Sequence, residues 1–398
     1  MTTRSYYSDA YTMQFPATVL SIVEGTERPA VLLAESYFYP TSGGQHHDVG
    51  RIGERRVVDV VVRESDEAVL HLLDAPLAVG EYPAEIDWTR RFDHMQQHTG
   101  QHILSQAFIR VADAATVSFH MGDHACTIDL NVKQLSAEKI HAAETLANQI
   151  VWENRPINTY FIDKADIPNY PLRKVPNVKG DKLRIVDIEN FDVNACGGTH
   201  MRHTGEIGMI KITKLERIRK QVRIEFRCGQ RALRDYDAKN SILTTLAKNL
   251  TCAQADLPQN VSNLSRELKQ SGKALKKAKT QLVQAEAQRL FDSAEIDDGT
   301  HIVQHVFEGR DSADVRQLAN QISRNKNTIA LLGLAGKNSL FVLTRSKDAP
   351  GSMQRLLQLA LAEIGGSGGG SDQYAQGGGA SAKREDVARV LKTLRNNL

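Results

Sequence analysis

The sequence predicts a multidomain α+β protein: a small N-terminal β-barrel over 1–90, a mixed α/β core over 91–250, a long helix over 251–296 and a C-terminal α/β domain over 297–398. Three patterns point there. Short strand-like runs separated by turns fill the start of the chain, an apolar heptad marks a long helix, and strand and helix signals mix on either side of that helix. In the first segment, residues 17–20, 30–33 and 56–62 lie between polar or glycine-containing turns, and several such strands in succession suit a small barrel or sandwich. The turn Pro40-Thr41-Ser42-Gly43-Gly44-Gln45 interrupts them.

The character changes at Asp87-Trp88-Thr89-Arg90-Arg91, where a helical pattern begins. Met95, His98, His102 and Ala107 belong to that helix, and 137–152 reads as another. Residues 184–188 are a strand candidate. So are 221–228, where Val222, Ile224, Phe226 and Cys228 alternate with Arg223, Glu225 and Arg227; such alternation gives one buried and one charged face. Farther on, Val261, Leu264, Leu268, Leu275, Ala278, Leu282 and Ala285 share the a and d positions of one heptad register, so the long helix can pair with a neighbouring helix or another chain. Gly272, about 1 kcal/mol worse than Ala in a helix, weakens its continuity. Residues 297–300 read as a linker, 328–333 and 339–344 as strands, and Lys383 opens a last helix.

Hydrophobic residues make up 41% of the 398 and charged residues 24%, which provides for ordinary cores and excludes wholesale disorder. A formal charge of +3 is too small to imply a nucleic-acid partner by itself. No stretch approaches the roughly 18 apolar residues of a membrane span, and no basic-then-apolar signal peptide opens the chain. The 4 cysteines are too few for a disulfide scaffold, so the chain reads as cytoplasmic. Cys126 is expected in a strand, and Cys228 and Cys252 in the core.

Two pairs of side chains carry the strongest chemical signal. His98-Thr99-Gly100-Gln101-His102 sets two imidazoles on one face of a helix. Cys196-Gly197-Gly198-Thr199-His200 repeats the interval with a thiolate and an imidazole, and its glycines let the backbone turn so that both side chains converge. Three nitrogen donors and one sulfur suit a tetrahedral Zn²⁺. Four protein ligands usually mark a structural site, whereas a catalytic zinc keeps a position open, so the ligand count leaves the role of the metal undecided.

Weaker signals surround these pairs. Gly43-Gly44-Gln45 offers close backbone approach and an amide, or is simply a strand-connecting turn. The glycine-dense stretch 365–379 lacks the Lys-Ser/Thr of a P-loop; a flexible linker and a backbone cradle for phosphates or RNA both remain open. Lys214, Arg217, Arg219, Lys220, Arg223, Arg227, Arg231 and Arg234 are opposed only by Glu216 and Glu225. A second basic bias, from Arg266 to Lys279, runs along the long helix. Two basic stretches favour a polyanionic partner over a merely solvated face.

Taken together, HTGQH at 98–102, CGGTH at 196–200 followed by Thr204-Gly205-Glu206-Ile207-Gly208, and FYPTSGGQ at 38–45 resemble the editing domain of alanyl-tRNA synthetase. More closely they resemble its free-standing relatives, the alanyl-tRNA editing proteins of the AlaX type. The C-terminal GGSGGGSDQYAQGGG resembles the DHHA1 domain of that synthetase. In the order barrel, editing core, helix and DHHA1-like domain, the resemblance covers nearly the whole chain and matches the long form of the editing protein.

The resemblance implies a trans-editing hydrolase that deacylates tRNA(Ala) mischarged with serine or glycine. A pocket shaped for alanine cannot exclude glycine by size and rejects an added hydroxyl by only about 10²-fold, so a second site is needed. On this reading His98, His102, Cys196 and His200 hold one zinc per chain. Gln45 and Gln101 position the ester and the attacking water. Gly43 and Gly44 approach the substrate, and Thr41 reads the serine hydroxyl. Arg223, Arg227, Gly368, Gly369, Gly370, Gly377 and Gly378 hold the tRNA, and a homodimer would form through the long helix or the C-terminal domain. No residue stands out as a general base.

The chain holds no aminoacylation core ahead of the barrel, so it is not expected to charge tRNA. Nor is there a DHH motif: Asp93-His94 is followed by Met95 and Asp123-His124 by Ala125, against the phosphoesterases that share the C-terminal domain type. One departure stands out. The synthetase commonly has threonine immediately before the second histidine, where this chain has Gln101, so that hydroxyl's chemistry does not carry over. A zinc-stabilised RNA-binding protein without hydrolytic activity, and a metal-dependent hydrolase of another small ester, are the competing readings.

Overall fold

A computed structural model describes residues 2–173 and 180–398. The chain forms two compact units, Met1–Asn249 and Leu250–Leu398. The first begins with a closed barrel of six strands: β1 (Gln14–Val23), β2 (Ala30–Leu33), β3 (Gly50–Ile52), β4 (Arg55–Val62), β5 (Val69–Leu73) and β6 (Gly80–Ile86). Their order around the barrel is β1-β2-β5-β4-β3-β6. Alternate residues point inward, so Phe15, Ala17, Val19, Leu33, Ile52, Val57, Val60, Leu73 and Ala84 fill the interior. The turn bearing Gly43, Gly44 and Gln45 lies between β2 and β3.

Helix α1 (Trp88–Ala112) follows, its first turn capped by the Asp87 side chain, which accepts from the N–H of Arg90. It is buried continuously from His94 to Ser105, which explains why it shows no clean amphipathic stripe. Strands β7 (Thr116–Met121) and β8 (Cys126–Leu130), helix α2 (Ala137–Trp152), β9 (Ile157–Asp163), β10 (Lys182–Ile188), β11 (Asp192–Ala195), β12 (Ile210–Ile218), β13 (Gln221–Cys228) and α3 (Gly229–Asn249) complete the unit. They form an antiparallel sheet β12-β13-β8-β7 and a three-stranded sheet β9-β10-β11. Met95, Ile103, Leu104 and Phe108 of α1 share one core with Ala143, Ala147 and Ile150 of α2 and Ile128, Val222, Ile224 and Phe226 of the sheet. Gly100 is where α1 meets β13: a Cβ there would lie 2.3 Å from Cys228 Sγ. Cys126 opens strand β8 and Cys228 is buried in the core, both as expected, whereas Cys252 is only half-buried.

Barrel and helix are tied by a buried ion pair. Arg91, fully buried, donates to the Asp48 carboxylate and to the carbonyls of Ala10 and Tyr37.

In the second unit α4 (Leu257–Asp292) runs unbroken through Gly272. It is followed by β14 (Glu295–Asp297), β15 (Thr300–Glu308), α5 (Ser312–Ile322), β16 (Thr328–Ala335), β17 (Leu340–Arg345), α6 (Met353–Ile364), β18 (Ser367–Gly370), β19 (Tyr374–Gly378) and α7 (Arg384–Arg395). The strands make one sheet, β14-β15-β16-β17-β19-β18, with β15 and β16 parallel. One expectation changes here, and two open readings gain detail. Residues 297–300 are not a linker but span the turn of a hairpin in which Glu295–Asp297 pairs with Thr300–Glu308. The end of α4 packs through Val283 and Ala287, while the heptad residues Val261, Leu264, Leu268, Leu275 and Leu282 remain exposed. The glycine-dense stretch is no flexible linker either: it forms the paired strands β18 and β19, so close that a Cβ on Gly368 would lie 2.3 Å from Gly377 Cα.

Candidate metal centre

His98 and His102 sit one turn apart on α1, and Cys196 and His200 follow β11 in the loop that leads away from it. The four side chains converge, with one donor atom from each lying within 4.8 Å of the others. Cys196 Sγ is 3.4 Å from His98 Nε2 and 3.3 Å from His200 Nε2. All three imidazoles are buried. Each turns its Nδ1 outward onto a protein partner: His98 onto Gln45 Oε1 at 2.8 Å, His102 towards Asp192 Oδ2 at 3.4 Å, and His200 onto Thr99 Oγ1 at 3.2 Å. The Gln45 amide oxygen can only accept, so its contact fixes the His98 tautomer that presents Nε2 to a metal.

Electrostatics favours the thiolate that a metal requires. Burial alone would push the Cys196 thiol up, but the His98 and His200 imidazoles and the contact with His102 outweigh it and hold the thiol well below its ordinary value. Burial pushes His200 down to about 3, leaving it neutral and able to donate a lone pair. Burial also pulls His102 down, but its contacts with Asp192 and Cys196 prevail and raise it. A buried set of three imidazoles and one thiolate therefore fits a divalent metal ion.

Close contacts shape the loop that carries Cys196. Arg184, buried in β10, donates to the carbonyls of Cys196 and Gly198 at 2.8 and 2.9 Å. A Cβ on Gly198 would lie 2.1 Å from His98 Cε1, so only glycine lets the loop pass that ring.

A cavity of about 490 Å³ opens beside the centre, lined by His98, His102 and Cys196 together with Gly43, Gln101, Thr116 and Arg173. The sequence-derived residues divide around it. Gly43 and Gln101 line the cavity. Gln45 is fully buried behind His98, its oxygen accepting from His98 and from the Thr199 N–H and its nitrogen donating to Thr199 Oγ1; it supports a ligand instead of facing a water. Gly44 packs on Phe119, with a positive φ of 86°. Thr41 does not line the cavity, and its hydroxyl is taken by the N–H and Nδ1 of His47.

The basic candidates are also engaged. Arg223 binds Asp129 through two hydrogen bonds, and Arg227 pairs with Asp235 and the His124 carbonyl. These carboxylates neutralise the guanidinium groups, which weakens them as phosphate ligands. Gly368, Gly369 and Gly370 lie on the exposed edge strand β18, with Gly377 and Gly378 on its partner β19. Sequence reasoning missed Thr99, Arg184, Asp192 and Thr199. The only visible hint was Arg184, a charge inside an otherwise strand-like run.

A barrel joined to a mixed α/β core, with a buried Cys/His₃ group between a helix and a loop, defines a domain that could hold a metal ion. The threonyl and alanyl tRNA synthetase second additional domain matches residues 183–225. The chain belongs to the family of the alanyl-tRNA editing protein AlaX-L, being 32% identical over 426 residues to that protein from Pyrococcus horikoshii, with 100% of both chains covered. Alanine–tRNA ligase from Pyrococcus furiosus is 31% identical over 387 residues, 94% of this chain but 41% of the ligase, so the chain spans about two-fifths of that relative. Among solved structures, the C-Ala domain from Aquifex aeolicus alanyl-tRNA synthetase matches 25% of this chain and 96% of that one, at 24% identity and a TM-score of 0.23.

Proposed function

We propose that the chain is a trans-editing hydrolase that cleaves the ester between serine, or glycine, and the 3′ end of tRNA(Ala). The observation that carries this reading is the Cys196–His98–His102–His200 group bordering a cavity large enough for an aminoacyl ester, in a member of the AlaX-L family. The donor set suits Zn²⁺, which when bound would polarise an ester carbonyl or activate water. Gln45, Thr99 and Asp192 orient the imidazoles. Arg184 holds the loop that bears Cys196. Gln101 stands at the cavity wall, where its amide can orient a water. Gly43, where even a Cβ would meet nothing within 4 Å, leaves the cavity rim open to a ribose.

The tRNA body would lie on basic surface. Arg217, Arg219 and Lys220 are exposed at the β12–β13 turn, and Lys269, Lys273, Lys276, Lys277 and Lys279 are exposed along α4. The C-terminal unit is read as DHHA1-like, with β18 and β19 as its tRNA-facing hairpin. Two chains would pair through the exposed leucines of α4. No helix of the described residues is long and apolar enough to cross a membrane.

The test is to incubate the purified protein with Ser-tRNA(Ala) and Ala-tRNA(Ala) and follow amino-acid release, with Cys196→Ala alongside. Rapid loss of serine but not alanine, abolished by the substitution, is the expected result. Tight tRNA binding with both esters intact overturns it and leaves an RNA-binding protein whose metal serves only the fold.

A further inference from the structure

The rim of the cavity continues outward as two aromatic rings. Gly197 lines the cavity, is itself exposed, and borders Tyr7: a Cβ there would lie 3.7 Å from the Tyr7 hydroxyl and 3.8 Å from its ring. Tyr7 closes a single 3₁₀ turn, Ser5–Tyr7, ahead of the barrel. Its ring meets that of Phe161 on β9 edge to face, with centroids 6.1 Å apart. Phe161 is 50% exposed, although the next residue, Ile162, is buried.

One guanidinium holds this pair in register with the metal centre. Arg184 donates from Nε to the Tyr7 carbonyl at 3.0 Å, and from Nη1 to the carbonyls of Cys196 and Gly198. Its guanidinium carbon lies 5.4 Å from the centre of the Tyr7 ring. Phe161 is the cross-strand partner of Arg184, so the two side chains leave the same face of the sheet. The rings therefore stand at a fixed separation from Cys196. A lone exposed phenylalanine requires no explanation; a braced pair of rings that begins where the cavity opens does.

An ester at the 3′ end of a tRNA enters the cavity with unpaired nucleotides behind it. Proteins that hold single-stranded nucleic acid set aromatic rings against such bases, and the stacking is indifferent to base identity because every base has a π-face. We propose that Tyr7 and Phe161 form a stacking platform for the unpaired bases that precede the ester-bearing nucleotide. Phe161 supplies the open ring, and Tyr7 leads the strand over Gly197 into the cavity. Arg184 is a positioning residue that keeps platform and cavity aligned. The platform recognises an unpaired strand rather than a sequence. This inference rests on the editing reading above.

The test measures kcat and KM on Ser-tRNA(Ala) and on the seryl ester of adenosine, which carries no preceding nucleotide. The wild type is compared with Phe161→Leu and Phe161→Trp. Leucine stays apolar but removes the ring, so the preference for the tRNA ester over the adenosine ester is expected to fall about tenfold, the worth of one base stack. The loss should lie in KM rather than kcat, and tryptophan should restore the wild-type KM. A wild-type KM for Ser-tRNA(Ala) in Phe161→Leu overturns the inference. So does an equal loss on the two esters, or a tryptophan variant as poor as leucine. If leucine leaves KM alone but turns a dimer into a monomer in sedimentation, the rings join two copies of the chain and the inference falls. A wild type that cleaves the tRNA ester with KM unmoved by substitution overturns this inference alone; one that cleaves neither ester overturns the editing reading and this inference with it.

Discussion

Gln45 Oε1 stands 2.8 Å from His98 Nδ1, across 53 positions of sequence. The amide oxygen can only accept, so His98 must carry its proton on Nδ1 and present Nε2 towards Cys196. A residue of the barrel turn therefore sets the tautomer of a ligand on the helix.

Replacing Gln45 by Ala should leave the His98 Nδ1–H and the Thr199 N–H without their acceptor. Metal affinity is expected to fall about 10- to 100-fold, the usual cost of losing an outer partner. Competition against a chromogenic chelator measures it. An unchanged Kd would remove Gln45 from the support of the centre.

Neighbouring glycines should behave oppositely. A Cβ on Gly198 meets His98 Nδ1 at 2.3 Å, whereas one on Gly197 meets only Tyr7 Oη at 3.7 Å, an ordinary contact. Gly198→Ala is expected to abolish bound metal and Gly197→Ala to retain it, as elemental analysis of purified protein would reveal.

Metal removal should be felt as instability, because a ligand that binds only the folded state stabilises it. Zinc at 100 times its Kd is worth about 2.7 kcal/mol. Thermal melts with chelator should fall below those with added zinc, and Cys196→Ala should erase the difference. Identical melts for the wild type in both conditions would contradict the site.

The barrel carries a pH dependence of its own. Burial pushes His71 down to about 4, with its Nε2 2.7 Å from Ser36 Oγ. Above the ordinary histidine value near 6.5 the ring is neutral whether folded or not, and stability is intact. As pH falls from there through about 4, the unfolded chain takes up a proton that the folded chain refuses. Stability then drops, by roughly 3 kcal/mol at the limit. Urea unfolding between pH 7.5 and 4.5 should be steeper in pH for the wild type than for His71→Asn; parallel curves would count against a neutral, buried His71.

Arg91→Ala should destabilise the first unit by about 3–5 kcal/mol, since it strands Asp48 as a buried charge without its partner. Denaturant midpoints measure this, and a loss below about 1 kcal/mol would mean that water reaches the pair.

What the sequence disclosed follows from the range of each signal. The ligand pairs are local: the interval from His98 to His102 is a helical turn, and the alternation of Val222, Ile224 and Phe226 is a strand with one face buried. The supporting contacts are not local. Arg184 reaches the Cys196 loop, Arg91 reaches Asp48, and Gln45 reaches Thr199 only after the chain has folded. The Thr41 hydroxyl bonds to His47, a contact that depends on the conformation of the turn and so was not legible in the sequence. The heptad of α4 was legible as a pattern, yet its packed end uses Val283 and Ala287, because the sheet and α5 approach from a different side than the register implies. Glycine density in β18 and β19 suggested freedom, whereas a Cβ on Gly368, Gly370, Gly377 or Gly378 would meet neighbouring backbone within 2.8 Å.

The buried Arg91–Asp48 pair bears on how this centre could be inherited. The family match at 183–225 contains Cys196 and His200 but neither His98 nor His102, and Gln45 lies farther upstream still. A segment shuffled between genes with only that stretch would arrive with half a binding site. Moving α1 as well would bring the histidines but expose Arg91, severed from its carboxylate, and leave His98 without Gln45. The four side chains that could hold a metal, and the Gln45 that backs His98, therefore draw on both the barrel and the core of the Met1–Asn249 unit.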